Sequence, residues 1–291
     1  MKSKEIVKLP PKYSSRIEII NTSNIEFEKN RLRQKILAET EENLEAETSL
    51  MKIDFAMLRI IIIDRLREIC PELIEENVNV LTPDKIKFKK QFGVSFNPGE
   101  PACYNPLSNL ITIEYHQLKR IYGDATARAL QYVCFHEEIH AISKNVCEYG
   151  PYENNILQNG YRYMGSYDSY PLVSFDEAVT EKMTREIIIE YEKRKGTPIL
   201  DGLKLAYEEL VSFLDLLIQK ISEKTGIHES VIWKKIQREK IIGKENGVES
   251  VMDRLEQIFS SEFINKIIEN DIVGAITEIN NDNPNTANKT K

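Results

Sequence analysis

The sequence predicts an α+β protein, and three observations carry that prediction. Stretches of helical period and composition fill both ends of the chain. Short β-type pieces lie between them, from Val78 to Tyr115. The helix that follows carries the pattern His136-Glu137-Glu138-Ile139-His140. Helices, then a small sheet, then helices is the order of an α+β fold rather than of alternating βαβ units. The 291 residues suffice for one large domain or two small ones with a real hydrophobic core.

Residues 1–24 are polar, contain Pro10-Pro11 and read as an extended lead. From Glu26 to about Ser49 the chain is rich in Glu, Lys, Arg, Leu and Ala, with charges of alternating sign, as on a solvent-facing helix. A second helix is expected from about Ile53 to Ile69. Its Phe55, Leu58, Ile62 and Leu66 recur at helical spacing, and Pro71 marks its end. Residues 1–75 therefore read as an N-terminal helical extension. It carries no identifiable chemistry and is a candidate surface for a protein partner.

Val78 to Leu81, Ile86 to Phe88 and Val94 to Phe96 read as short strands, with Pro98-Gly99 and Pro101 as breaks. Tyr104 to Asn109 is a turn before the strand Leu110 to Tyr115. Asp124 is placed to cap a helix over about Ala125 to Ser143. Residues 145–173 form a long Tyr-, Gly- and Asn-rich connection, with a small hairpin at Asn159-Gly160. Helices follow over about Ser174 to Arg194 (stopped by Gly196), Leu203 to Lys224, Glu229 to Lys240 and Val251 to Glu269. Residues 76–270 are thus read as one domain with a helical C-terminal subdomain. Residues 271–291, ending in an Asn/Thr/Lys-rich stretch, are read as a disordered tail.

A formal net charge of -7 gives no electrostatic support to a nucleic-acid partner. The four cysteines (Cys70, Cys103, Cys134, Cys147) include no C-x-x-C pair and read as reduced thiols. The start has no signal-peptide pattern, and the apolar run Ile60 to Ile63 is flanked by Arg59, Asp64, Arg65 and Arg67. The expectation is a cytoplasmic protein with no membrane span.

His136 and His140 are four apart, so on a helix they lie one above the other and can share a metal ion. Glu137, the next residue round, can reach a water on that ion. With only four histidines in the chain, an accidental match has odds on the order of one in a hundred. A catalytic zinc needs a third protein ligand. The candidates are His116, His228 and the carboxylates beyond His140. Glu177 is preferred, with Asp176 its nearest competitor. Glu181 lies one turn beyond Glu177 and can accept the second N–H of a ligand histidine, His136. A competing reading of Ser174-x-x-Glu177 is a capping box, which would tie Glu177 to its own helix start.

His136-Glu137-x-x-His140 followed by Asp176-Glu177-Ala178-x-Thr180-Glu181 resembles the gluzincin branch of the zincin metallopeptidases, over about Val78 to Arg194. There is no metzincin extension, since Ser143 and Cys147 stand where its glycine and third histidine would be. The resemblance implies a zincin-like core: a small mixed sheet, an active-site helix and C-terminal helices, here preceded by the N-terminal helical segment. It implies one zinc ion per chain held by His136, His140 and Glu177, with Glu137 as general base and Glu181 as acceptor for a ligand ring. It also makes Leu110 to Tyr115 the edge strand that pairs with an extended peptide or protein substrate. Zinc lowers the pKa of its water to about 7. An oxyanion donor is expected among Tyr161, Tyr163, Tyr167 and His228, with Tyr163 preferred. Glu138 is expected to face solvent. The alternative is an inactive or regulatory protein using the same zinc site for structure or sensing. A fourth protein ligand, His228 or Cys103, would mark it.

Overall fold

Two helices, α4 (Thr126–Ile142) and α5 (Val173–Lys195), form the centre of the molecule, and the remaining elements wrap them. The computed structural model describes residues 42, 44–73, 78–80, 82–88, 101–106, 108–149, 154–163, 172–244 and 247–281. The fold class is α+β, mostly helical with a small mixed sheet. Every residue of α4 from Ala129 to Ile142 is buried, the polar Gln131, His136, Glu137, Glu138 and His140 included. The helix is sandwiched between α5 on one side and α3 (Tyr115–Tyr122) and the sheet on the other. It does not start at an Asp124 cap. Asp124 lies in a 3₁₀ turn, Gly123–Ala125, that leads from α3 into α4, where the Thr126 hydroxyl donates to the Gly123 carbonyl.

The sheet has three strands: β1 (Ile86–Phe88), β2 (Ala102–Asn105) and β3 (Leu110–Ile113), in the order β1-β3-β2. β1 runs parallel to β3 and β2 antiparallel to it, with Tyr104 opposite Ile111 and Ala102 opposite Ile113. The alternation in β3 buries Ile111 and Ile113 completely. The expected edge strand, Leu110 to Tyr115, is thus the central one. It stops at Ile113, because Tyr115 already opens α3. Among the described residues β2 lies at the edge. Residues 78–80 are not a strand, and Val94 to Phe96 lie outside the described residues.

The connection after α4 contains more order than its composition suggests. β4 (Asn145–Tyr149), β5 (Asn154–Asn159) and β6 (Arg162–Tyr163) form a second antiparallel sheet. The expected hairpin turns at Gly160-Tyr161, with Gly160 at φ 57.

Residues 44–50 (α1) are helical, and the rest of the expected first helix lies outside the described residues. α2 (Phe55–Ile69) buries Leu58, Ile61, Ile62 and Leu66 against α5 and α7 (Glu229–Ile242). The Tyr191 hydroxyl of α5 accepts the Asp54 N–H at 2.8 Å, and Arg238 of α7 pairs with Glu72. α2 is therefore built into the main body rather than a separate extension ending at 75; residues 43–291 form one compact unit.

α6 (Glu208–Thr225) starts five residues later than expected, because the chain turns at Asp201-Gly202 and Tyr207 adopts a left-handed backbone, φ 57. The expected last helix is two. Ser260 caps α9 (Ser261–Ile268), breaking it from α8 (Val251–Ile258), which Ser250 and Asp253 begin with a capping box. The chain then continues as α10 (Ile272–Asn281), where a disordered tail was expected, because Ile272, Ala275 and Ile279 bury a helical stripe. No described helix is long and apolar enough to cross a membrane.

The start of α5 depends on a distant residue. Leu172 takes a left-handed backbone at the cap position and offers no capping side chain. The Asn270 side chain accepts the Ser174 N–H at 2.9 Å instead. Asn270→Ala should therefore cost about 1 kcal/mol, while Ser174→Ala should stay within about 0.5 kcal/mol. Thermal unfolding of the two variants checks this; equal losses would return the cap to Ser174.

Candidate metal centre

α4 presents His136 and His140 one turn apart, and α5 crosses them with Glu177. His136 Nε2 lies 3.1 Å from Glu177 Oε2, and His140 Nε2 lies 3.6 Å from Glu177 Oε1. One ligand atom from each residue lies within 4.8 Å of the others, and the three residues are 7%, 5% and 8% exposed. With metal–ligand bonds of about 2.0–2.1 Å, tetrahedral zinc holds its ligand atoms about 3.4 Å apart. The two His–Glu separations bracket that value. Two imidazole nitrogens and a carboxylate also suit a borderline ion such as zinc better than calcium or magnesium, which prefer oxygen alone. The group can hold a metal ion. Among the described residues it is the convergent set of three, and neither His228 nor Cys103 joins it.

The Ser174–Glu177 capping box is absent, since Glu177 turns into the molecule toward the histidines. A carboxylate also lies behind each histidine ring, within hydrogen-bond distance for His136 and 3.6 Å away for His140. Glu181, fully buried, places Oε2 3.2 Å from His136 Nδ1, as expected for an acceptor that leaves Nε2 for a metal. The same oxygen accepts the Tyr132 hydroxyl at 2.6 Å, and Arg185 Nε donates to Oε1 at 2.7 Å. Burial favours the neutral acid at Glu181. The hydrogen bonds from His136, Tyr132 and Arg185, with the His136 charge, outweigh it and hold the carboxyl below its usual range. Burial and the Glu181 charge push the Tyr132 phenol far up, so it stays a donor.

Asp176, the competing ligand, serves the other ring. Its Oδ2 faces His140 Nδ1 across 3.6 Å. Its Oδ1 accepts from Lys240 Nζ at 2.6 Å and from the Tyr161 N–H at 2.9 Å.

Glu137 is buried beside His136, and its Oε2 accepts the Tyr104 N–H of β2 at 2.6 Å. That strand is pinned to α4 by amides. Asn79 donates to the Tyr104 hydroxyl, to Asn109 Oδ1 and to the Ala141 carbonyl at 3.1, 2.8 and 3.2 Å, and Asn109 donates back to Asn79 at 3.1 Å. Asn109 takes a left-handed backbone, φ 51, in the turn from β2 to β3. A cleft of about 300 Å³ opens beside Glu137 and His136, lined by Ala102 of the edge strand and by Tyr122, Leu205 and Tyr207. The Tyr207 ring stacks on His136 at 5.6 Å and 25°.

The remaining expected residues fall elsewhere. The Tyr161 hydroxyl is committed to the Ile236 carbonyl at 2.9 Å. His228 caps α7 by accepting the Ser230 N–H. His116 lies on α3, with Nε2 3.9 Å from Glu114. Glu138 is buried rather than solvated, because α4 is covered on all sides. Tyr163 is in β6, its side chain outside the described set, as is all of Tyr167. The sequence reading missed Tyr132, Arg185, Tyr207, Lys240 and the role of Asp176. Tyr132 is four before His136 and Arg185 four after Glu181, so helical spacing could have flagged both. Lys240 and Tyr207 have no local signal.

Elemental analysis of the purified protein should find one divalent ion per chain, and His140→Ala or Glu177→Ala should reduce it to background. Metal retained by Glu177→Ala would remove Glu177 from the ligand set. Compared with known proteins, the chain matches no family model, no curated protein and no solved structure, so the convergence of its own side chains carries its functional reading.

Proposed function

We propose that the protein is a zinc-dependent metallopeptidase of the gluzincin type, with a zincin-like core and a peptide or protein substrate. The observation that carries this is the meeting of His136, His140 and Glu177, with the Glu137 carboxylate beside them and a cleft in front. Zinc, when bound, would supply Lewis acidity: it acidifies a water and polarises the scissile carbonyl. Glu137 takes the proton of the attacking water and returns it to the leaving amine. The Tyr104 N–H fixes the orientation of this carboxylate through Oε2. Tyr207, stacked on His136 at the cleft wall, joins Tyr163 as a candidate donor to the developing oxyanion.

The edge strand supports a peptide substrate. Backbone groups alternate in direction along an antiparallel strand. Since the Tyr104 N–H is turned away from β3 toward Glu137, the N–H and C=O of Ala102, two residues before, are turned the same way, into the cleft. An extended peptide can add there as a further strand.

Two experiments test the reading. Glu137→Gln should keep the metal and lower hydrolysis of a peptide library by roughly 10²–10⁴-fold. Wild-type protein that holds zinc and cleaves nothing would instead support a structural or sensing site. Ala102→Pro removes an outward N–H that an edge strand can spare. It should leave stability and metal content unchanged but lower kcat/KM on extended peptides roughly 3- to 10-fold, the worth of one hydrogen bond. Unchanged kinetics would place the substrate elsewhere.

A further inference from the structure

A second buried cluster lies behind the metal centre, where four parts of the chain meet. Asp176 and Lys240 are both fully buried, and Lys240 Nζ lies 2.6 Å from Asp176 Oδ1. The hairpin turn between β5 and β6 closes over them: the Tyr161 N–H donates to the same oxygen at 2.9 Å. A Cβ at Gly160 would fall 2.4 Å from Asp176 Oδ1 and 2.7 Å from Lys240 Nζ, so only glycine lets the turn come this close. Lys144, two residues past the end of α4, donates its N–H to the Lys240 carbonyl at 2.9 Å and accepts the Gly160 N–H at 2.8 Å.

A buried ion pair is seldom the most stable way to fill such a space; apolar residues of the same volume usually do as well or better. Its presence against a histidine therefore needs a reason beyond stability. The geometry supplies one. With Oδ1 held by Lys240 and the Tyr161 N–H, the remaining oxygen, Oδ2, is aimed at His140 Nδ1 across 3.6 Å. A carboxylate in that position faces the ring on the side away from Glu177, as Glu181 does for His136, and a shift of a few tenths of an ångström brings it into hydrogen-bond distance.

We propose that Lys240 is a positioning residue of the metal centre. It locks Asp176 so that Asp176 orients His140, and it thereby makes metal affinity depend on α7 and on the β5–β6 turn. The proposal rests on the metal-centre reading above, and its test separates the two.

The zinc dissociation constant and the melting temperature of the metal-free protein would be measured for wild type, Lys240→Met and the double variant Asp176→Leu/Lys240→Met. The single variant should bind zinc about 10- to 100-fold more weakly, and it should melt lower because Asp176 is left buried without its cation. In the double variant neither charge of this pair remains. The melting temperature should recover toward wild type while zinc binding stays at least about 10-fold weak. Recovery of zinc affinity together with stability would overturn the proposal and leave the pair a structural element. Unchanged zinc affinity in all variants would overturn it as well. Wild-type protein that binds no zinc would overturn the metal centre itself, and the positioning role with it. If Lys240→Met does not fold, the double variant alone decides between these outcomes.

Discussion

Three carboxylates on one short stretch of α5 (Asp176, Glu177 and Glu181) are buried against two imidazoles of α4, and the rest of the structure must make that tolerable. Burying an ionised carboxylate without compensation is prohibitive. Glu181 is offset by Arg185 on its own helix, and Asp176 by Lys240 from α7. Glu177 faces the imidazoles of His136 and His140. A metal ion held between these three groups would add a positive charge beside the Glu177 carboxylate. The ring Nδ1 atoms face Glu181 and Asp176, so the Nε2 side, with Glu177, is where the cluster could hold a metal ion.

The architecture follows from that demand. A helix with polar residues on one face and apolar ones on the others can be buried only if both kinds of face find partners. α4 gives its polar face to α5 and the edge of β2, and Phe135 on another face meets Tyr191 edge-on at 5.0 Å. Tyr191 in turn holds the N-terminus of α2 through Asp54. The early helix is thus tied to the same centre, and for this reason a boundary at residue 75 has no physical counterpart.

What the sequence disclosed were contacts between residues close along the chain. His136 and His140 share a face by helical period alone, and Glu177 and Glu181 repeat the spacing, so the cluster of His136, His140 and Glu177 and the contact of Glu181 with His136 could be read before any fold was known. The Gly160 turn was legible for the same reason. The strand order was not. Alternation in Leu110 to Ile113 tells which residues face the core, but says nothing about which strands stand on either side. The capping box at Ser174 was a correct local pattern that lost to Asn270, 96 residues away. Lys240 is 64 residues from Asp176, on a helix whose sequence suggests only an amphipathic surface. Residues that orient others are harder to read than residues that bind, because their identity is set by tertiary neighbours.

β2 joins the two halves of the proposed chemistry. One backbone group, the Tyr104 N–H, holds the base Glu137, and two residues earlier the same edge is turned into the cleft at Ala102. Two residues of a strand span about 6.7 Å, so the proposed base and the proposed pairing edge are held in a fixed register. The amides of Asn79 and Asn109 set where that register falls relative to α4, since they tie the Tyr104 side chain to the Ala141 carbonyl at the end of the helix that bears the histidines. A shift of β2 would therefore move the base and the substrate edge together relative to His136 and His140, rather than either alone.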